Sequence, residues 1–266
     1  MHPGFAGHFP TPRIGRSWGP CIADSAAALL KGRCSLNDRL VLSSEHGTQH
    51  VPARFARLFA GHEAILNSHR GWDPGTAELA SAMARRFRVR LHRVTVSRLL
   101  IECNRSVGHP RLFSEFTRSL PPADKNRLLD LIYHPHRAAV QSAVKDALRD
   151  GHRAVHIGVH SFTPILNGKE RKLDVGLLFD SSRPRERIFC EHWRRAIRER
   201  QPALRIHFNH PYRGSSDGLT TTLRGVFPAA RYLGLELELN QCWIGTRHWA
   251  TMCDAVVDSL WHVLGS

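Results

Sequence analysis

The sequence predicts an α/β domain in which helices cover both faces of a mixed, mostly parallel central sheet. Two patterns carry this prediction. Between residues 39 and 264, short apolar runs of strand type alternate with longer segments of helical period. Several of those runs also end in acids, histidines, arginines or amides, as expected where parallel strands deliver side chains to a ligand at their carboxyl ends. A chain of 266 residues is long enough to bury one continuous core around such a sheet.

The elements follow in order. Residues 1–36 contain "MHPGFAGHFPTPRIGRSWGP" and a small Ala/Leu-rich patch, the composition of an N-terminal extension that is poorly ordered or holds one short helix. One α/β domain then spans 37–266, with no internal repeat. "RLVLSS" (39–44) reads as a strand, "GTAELASAMARRF" (75–87) as a helix and "LLIEC" (99–103) as a strand. Pro and Asp start a long amphipathic stretch over 123–150, and Gly151 stops it. Strands are expected at "AVHIGVH" (154–160) and "VGLLFD" (175–180), a helix over 184–200, and strands at "LRIHF" (204–208) and "LGLELEL" (233–239). A helix over 246–264 closes the chain.

The formal charge of +15 comes mostly from dispersed arginines, which implies a solvated basic surface suited to an anionic partner. No aromatic-basic RNA signature, paired-cysteine zinc finger or recognition-helix pattern is present, so nucleic acid is not the expected partner. Six cysteines lie far apart with no C-x-x-C pair, and no secretory signal pattern precedes them, as in a cytoplasmic protein with reduced thiols. No apolar run nears the roughly 18–20 residues that cross a bilayer, so no membrane partner is expected. The oligomeric state stays open, a homo-oligomer included.

The polar residues at the strand ends form a coherent set. His46 in "SSEHG" and His160 in "VHSFTP" each follow an apolar run, so both imidazoles can reach one mouth of the sheet as zinc ligands. Asp73, between Trp72 and Pro74, is the candidate third ligand, with helix capping as its competing role. His50, His69, His134 and His136 are expected to be ordinary packed or surface residues, with His50 a possible partner to a ligand; Glu45 is either such a partner or a surface acid.

In "LELEL", Glu236 and Glu238 point to one face and the leucines to the other. On an exposed edge strand these acids are unremarkable. On a central strand a carboxylate is costly unless it meets a cation, a metal or a reacting water, and Glu238, nearer the strand end, then becomes the catalytic base with Glu236 in reserve. Arg105 in "ECNRS" suits bidentate capture of a substrate carboxylate, ahead of Arg137, Arg171 and Arg224. In "NHPYRGSSDGLTTTLR", Asn209, Tyr212 and Arg224 are candidate substrate contacts on a loop that otherwise reads as an ordinary connection.

Taken together, "SSEHGTQHVP", "HRGWDPGTAELA", "ECNRS", "HSFTPILNG", "DVGLLFD", "NHPYRGSSDG" and "GLELELNQ", in order across about residues 40–245, resemble the N-formylglutamate amidohydrolase family. The resemblance implies a three-layer, phosphorylase/hydrolase-like fold akin to zinc carboxypeptidases and aspartoacylases. It also implies His46, Asp73 and His160 around one Zn2+, Glu238 as base, and Asn104 with Arg105 at the substrate. The carboxypeptidase spacing of His followed three residues later by Glu is absent, because Gln49 stands there. The implied reaction is hydrolysis of the N-acyl bond of a small anionic amino-acid derivative such as N-formyl-L-glutamate. Two alternatives accompany it: a metallocarboxypeptidase or N-acyl amino-acid deacylase acting on peptides or cell-wall fragments, and a non-catalytic basic binding protein on the same fold.

Overall fold

The structure, a computed structural model, describes residues 38–265. The expected extension at 1–36 lies outside the described residues, as do Cys21 and Cys34. Strand β1 (Asp38–Ser44) opens the domain, followed by a short helix α1 (Glu63–Leu66), helix α2 (Thr76–Phe87) and strand β2 (Leu91–Arg93). Helix α3 (Pro122–Leu128) continues through a π turn (Leu129–Tyr133) into α4 (His134–Ala147), fulfilling the long helical stretch as one bulged rod. Then come β3 (Arg153–Phe162), a two-stranded hairpin of β4 (Ile165–Leu166) and β5 (Lys169–Glu170), β6 (Val175–Leu178) and α5 (Pro184–Arg200). Strand β7 (Ile206–Phe208), α6 (Leu219–Val226), β8 (Tyr232–Asn240) and α7 (Arg247–Val263) complete the order.

Six strands form one mixed sheet in the order β2-β1-β3-β8-β6-β7. The pairings of β1 with β2 and β3, of β3 with β8, and of β6 with β7 are parallel; β6 meets β8 antiparallel. On one face Leu42, Val155, Ile157, Val159, Leu235, Leu237 and Leu239 pack with Met83 of α2, Trp193 and Ile197 of α5, and Val256 and Leu260 of α7. On the other, Val41, Ala154 and Tyr232 pack with Val140 and Val144 of α4 and Leu223 of α6. The sheet is thus covered by helices on both sides.

Sequence logic explains most elements. Helix α5 starts with Pro184 in its first turn and buries Phe189, Cys190, Trp193, Ala196 and Ile197, the spacing of one helical face. Strand β8 is central, so its two glutamates are not edge residues.

The expected strand at "LLIEC" does not form. Leu99, Leu100, Ile101 and Cys103 are buried instead in a separate cluster with Phe55, Phe59, Leu112 and Tyr133. Backbone bonds there close turns, such as Leu100 N to Ser97 O at 2.9 Å and Arg105 N to Glu102 O at 3.1 Å. A short apolar run signals burial, not strand pairing, and a local cluster satisfied that burial. The sheet takes β2 beside β1 instead, a three-residue edge strand whose His92 and Arg93 hid it from an apolar scan.

Candidate metal centre

Three adjacent parallel strands bring the polar set together. His46 follows β1, His160 lies near the end of β3, and the β3–β8 register puts His160 directly beside Glu238. Period-two alternation sends His156, Gly158 and His160, with Glu236 and Glu238, to the face opposite the leucines. Low on that face α4 and α6 cover apolar residues. Towards the strand ends a cavity of about 600 Å3 opens, lined by His46, Asp73, His160 and Glu238 and by the 98–118 and 212–217 segments.

Asp73 reaches this place through its backbone and not as a cap. Its N–H donates to His46 O at 2.8 Å, which ties the Trp72–Pro74 turn to the end of β1. Helix α2 is entered instead through Gly75, whose φ of 79° is left-handed and where a Cβ would stand 2.4 Å from the Trp249 ring. No side chain caps α2, so the Asp73 carboxylate is left for the cluster. Its Oδ2 lies 3.2 Å from Nδ1 of His46 and 3.2 Å from Nδ1 of His160. The two rings stand 4.9 Å apart.

Further carboxylates and one arginine surround these three. Glu102 places Oε1 2.5 Å from His46 Nε2, and Arg98 bridges Glu102 Oε2 at 2.8 Å and Asp73 Oδ1 at 3.2 Å. Glu45 lies behind His160, and Glu238 beside it on β8. Burial would raise the Asp73 and Glu102 carboxyls, yet the charges of His46 and Arg98 hold both far below the usual carboxylate range. Burial would likewise raise Glu45, but His136 and His160 hold it well below that range. Burial lowers the tendency of His160 to carry a proton, and the bonds and charges of Asp73, Glu45 and Glu238 overcome it and lift its pKa well above normal. For Glu238 burial wins: against the His160 charge, and helped by Asp73 and Glu236, it pushes the carboxyl up to about 8. Its Oε2 is buried with no hydrogen-bond partner among the described residues.

The residues present fit a divalent cation. Two imidazole nitrogens and a carboxylate oxygen, drawn from His46, Asp73 and His160, all lie within 4.8 Å of one another and are buried. The 3.2 Å separations from Asp73 Oδ2 to each Nδ1 approach the edge of about 3.4 Å in a tetrahedron with bonds of about 2.1 Å. Charge argues the same way. Glu45, Asp73 and Glu102 bury three carboxylates beside the guanidinium of Arg98, so the centre takes up further positive charge, as protons on histidine or as a cation.

A scan against family models matches the N-formylglutamate amidohydrolase model over residues 38–245. The chain belongs to the N-formylglutamate amidohydrolase family. Among solved structures, gene product Atu2144 from Agrobacterium tumefaciens is 26% identical, with a TM-score of 0.69 over 85% of this chain and 88% of that one. N-formylglutamate amidohydrolase from Ralstonia eutropha JMP134 shares 20% identity and a TM-score of 0.64 over 85% of this chain and 92% of its own, a likeness of fold. A search of curated proteins gave no match.

Within this amidohydrolase framework the other expected site residues divide. Arg105 and Asn104 line the cavity. Arg105 Nη1 donates to Asn104 O at 3.1 Å and to Asp217 O, while Asp217 also accepts from Ser106 N at 2.9 Å, which clasps "ECNRS" to "SSDG". Asn104 spends Oδ1 on Leu219 N at 2.8 Å and Nδ2 on Glu236 Oε1 at 3.3 Å, so it fixes Glu236 and the start of α6. Glu236 is thereby engaged while Glu238 is not. Tyr212 lines the cavity and its hydroxyl accepts from Arg171 at 3.0 Å.

Asn209 and Arg224 are structural, contrary to the sequence expectation. Asn209 holds a left-handed turn at φ 50°, its Oδ1 accepting from Phe179 N and Gly214 N at 3.0 Å each. Arg224 is buried and donates to Glu186 Oε1 at 3.1 Å, Gly214 O at 2.6 Å and Gly234 O at 2.5 Å, which leaves its fork no room for a substrate. Sequence reasoning passed over Arg98, and treated His136 as background. The signal available was the i,i+4 spacing of Arg98 to Glu102 just ahead of "NRS".

Proposed function

We propose that the protein is a metal-dependent amidohydrolase that cleaves the N-acyl bond of a small anionic amino-acid derivative, with N-formyl-L-glutamate the first candidate. The convergence of His46, Asp73 and His160 beside the unpartnered Glu238 carries this reading, and the family supports it. His46, Asp73 and His160 would hold the ion, Zn2+ being the best match to a two-histidine, one-carboxylate set. When bound, such an ion polarises an acyl oxygen and makes water a better nucleophile at neutral pH.

The chain's own groups supply the rest. Glu238, poised at the cavity wall with a free oxygen and ionised once a cation lies beside it, accepts a proton from the attacking water and returns it to the departing amine. Arg105 keeps Nε and Nη2 for the substrate carboxylate, because its bonds to Asn104 O and Asp217 O use Nη1. Arg98 holds Asp73 and Glu102 in place from the cavity side. Burial of the whole cluster excludes bulk water and strengthens each of these interactions.

The test pairs metal analysis with turnover. Purified protein should bind about one Zn2+ per chain and hydrolyse N-formyl-L-glutamate or another member of a small N-acyl amino-acid panel. His46→Ala and His160→Ala should abolish both. Metal binding with cleavage confined to peptides would favour the carboxypeptidase alternative. Absence of bound metal, with salt-sensitive retention of nucleic acid, would favour the non-catalytic one.

A further inference from the structure

His160 is held from behind by two residues that the proposed chemistry does not use. Glu45 is buried at the turn after β1, with Oε2 3.4 Å from His160 Nε2 and Oε1 2.9 Å from His136 Nε2. A carboxylate only accepts, so the bonded Nε2 of His136 carries the proton, and the buried Nε2 of His160, which has no hydrogen-bond partner among the described residues, faces the other oxygen of the same carboxylate. As a metal ligand an imidazole is neutral, and with its proton on Nε2 the lone pair lies on Nδ1, the atom of His160 that faces Asp73. On the other ligand, Glu102 stands in the same relation to Nε2 of His46. Both rings are therefore turned the same way by a carboxylate at the far nitrogen.

What distinguishes Glu45 is that a second residue steers it. His136 sits in the first turn of α4, immediately after the π turn at Leu129–Tyr133. Such bulges recur at functional sites because the extra residue re-aims the side chains that follow. Here Tyr133 of that turn donates Oη to Arg105 O at 2.8 Å, and Arg137, next to His136 in α4, donates Nη1 to Cys103 O at 3.0 Å. One helix thus braces the back of the metal centre and the loop that carries Arg105.

We propose that His136 and Glu45 are positioning residues for metal capture: His136 fixes Glu45, and Glu45 fixes His160 with Nδ1 toward Asp73. This rests on the metal-dependent reading above. Glu45→Gln offers one acceptor oxygen where two imidazoles each need one, so one of the two N–H groups faces an amide NH2. His136→Phe removes the donor, and His136→Gln keeps one.

The experiment titrates metal-stripped protein with Zn2+ alone against a chelating chromophore, with circular dichroism confirming the fold of each variant. Glu45→Gln should weaken Zn2+ binding by about 10- to 100-fold. His136→Phe should weaken it in the same direction, His136→Gln should recover most of the loss, and the double variant should bind no more weakly than Glu45→Gln alone. Imidazole 15N spectra of the zinc-loaded protein should show one fixed Nε2–H form of His160 in the wild type and its loss in Glu45→Gln. Wild-type affinity in folded Glu45→Gln and His136→Phe, or additive losses, overturns this inference and leaves the metal reading standing. A wild-type protein that binds no Zn2+ overturns the metal reading and this inference with it.

Discussion

Glu238→Gln separates the energetic cost of the centre from its chemistry. In the ion-free fold the carboxyl is raised from 4.5 to about 8, first by burial. The folded protein therefore binds a proton that the unfolded chain has lost across that window, and stability falls as pH rises from about 4.5 to about 8. Each pH unit is worth about 1.4 kcal/mol, so the penalty levels off above pH 8 at roughly 5 kcal/mol. Glutamine has the same shape and no charge to lose. In the presence of a chelator, urea unfolding should give variant and wild type similar stability near pH 4.5, with the variant ahead by several kcal/mol at pH 9. With Zn2+ restored, the variant should retain the metal and lose about 10²- to 10⁴-fold in kcat. A stability gap independent of pH would refute the buried neutral acid. Full turnover with metal bound would remove Glu238 from the reaction.

Other outcomes follow from the same geometry. Arg105→Lys should raise KM more than ten-fold for a substrate bearing a carboxylate and leave a neutral amide analogue unaffected, because a point charge replaces a fork. Arg224→Met should lower stability by about 3 kcal/mol in urea titration, because buried Glu186 loses its nearest cation and keeps only Arg183 at 4.0 Å, with KM changed little; a selective rise in KM would return Arg224 to the substrate. Gly75→Ala should cost about 1–3 kcal/mol, since the new methyl meets the Trp249 ring in a left-handed turn. Chelation should lower the Tm of the wild type and leave that of His46→Ala unmoved.

Much of the centre was legible because its parts are short, local and tied to strand ends. His46, His160 and Glu238 each close or follow an apolar run, and alternation along "LELEL" already separated glutamates from leucines. Asp73 was legible only as a choice between ligand and cap, and the left-handed Gly75 removed the cap by starting the helix two residues later. "LLIEC" misled because an apolar run reports burial without saying what buries it. Arg224 and Asn209 misled because arginine and asparagine serve a buried scaffold with the same donors that would serve a ligand.

The sequence by itself determined the layered α/β architecture and the order of its main strands and helices, and it singled out the His46, Asp73 and His160 side chains that the fold brings together. Those features depend on periodicity and on residues near one another in the chain, which local sterics and burial translate directly into structure. Tertiary structure alone decided that β8 is central, that Arg98 joins Asp73 to Glu102, and that His136 reaches Glu45 from a helix 91 positions away. Such contacts are set by strand register and by the turn of a bulged helix, and a one-residue change in either would redirect the side chains without altering the pattern from which the elements are read.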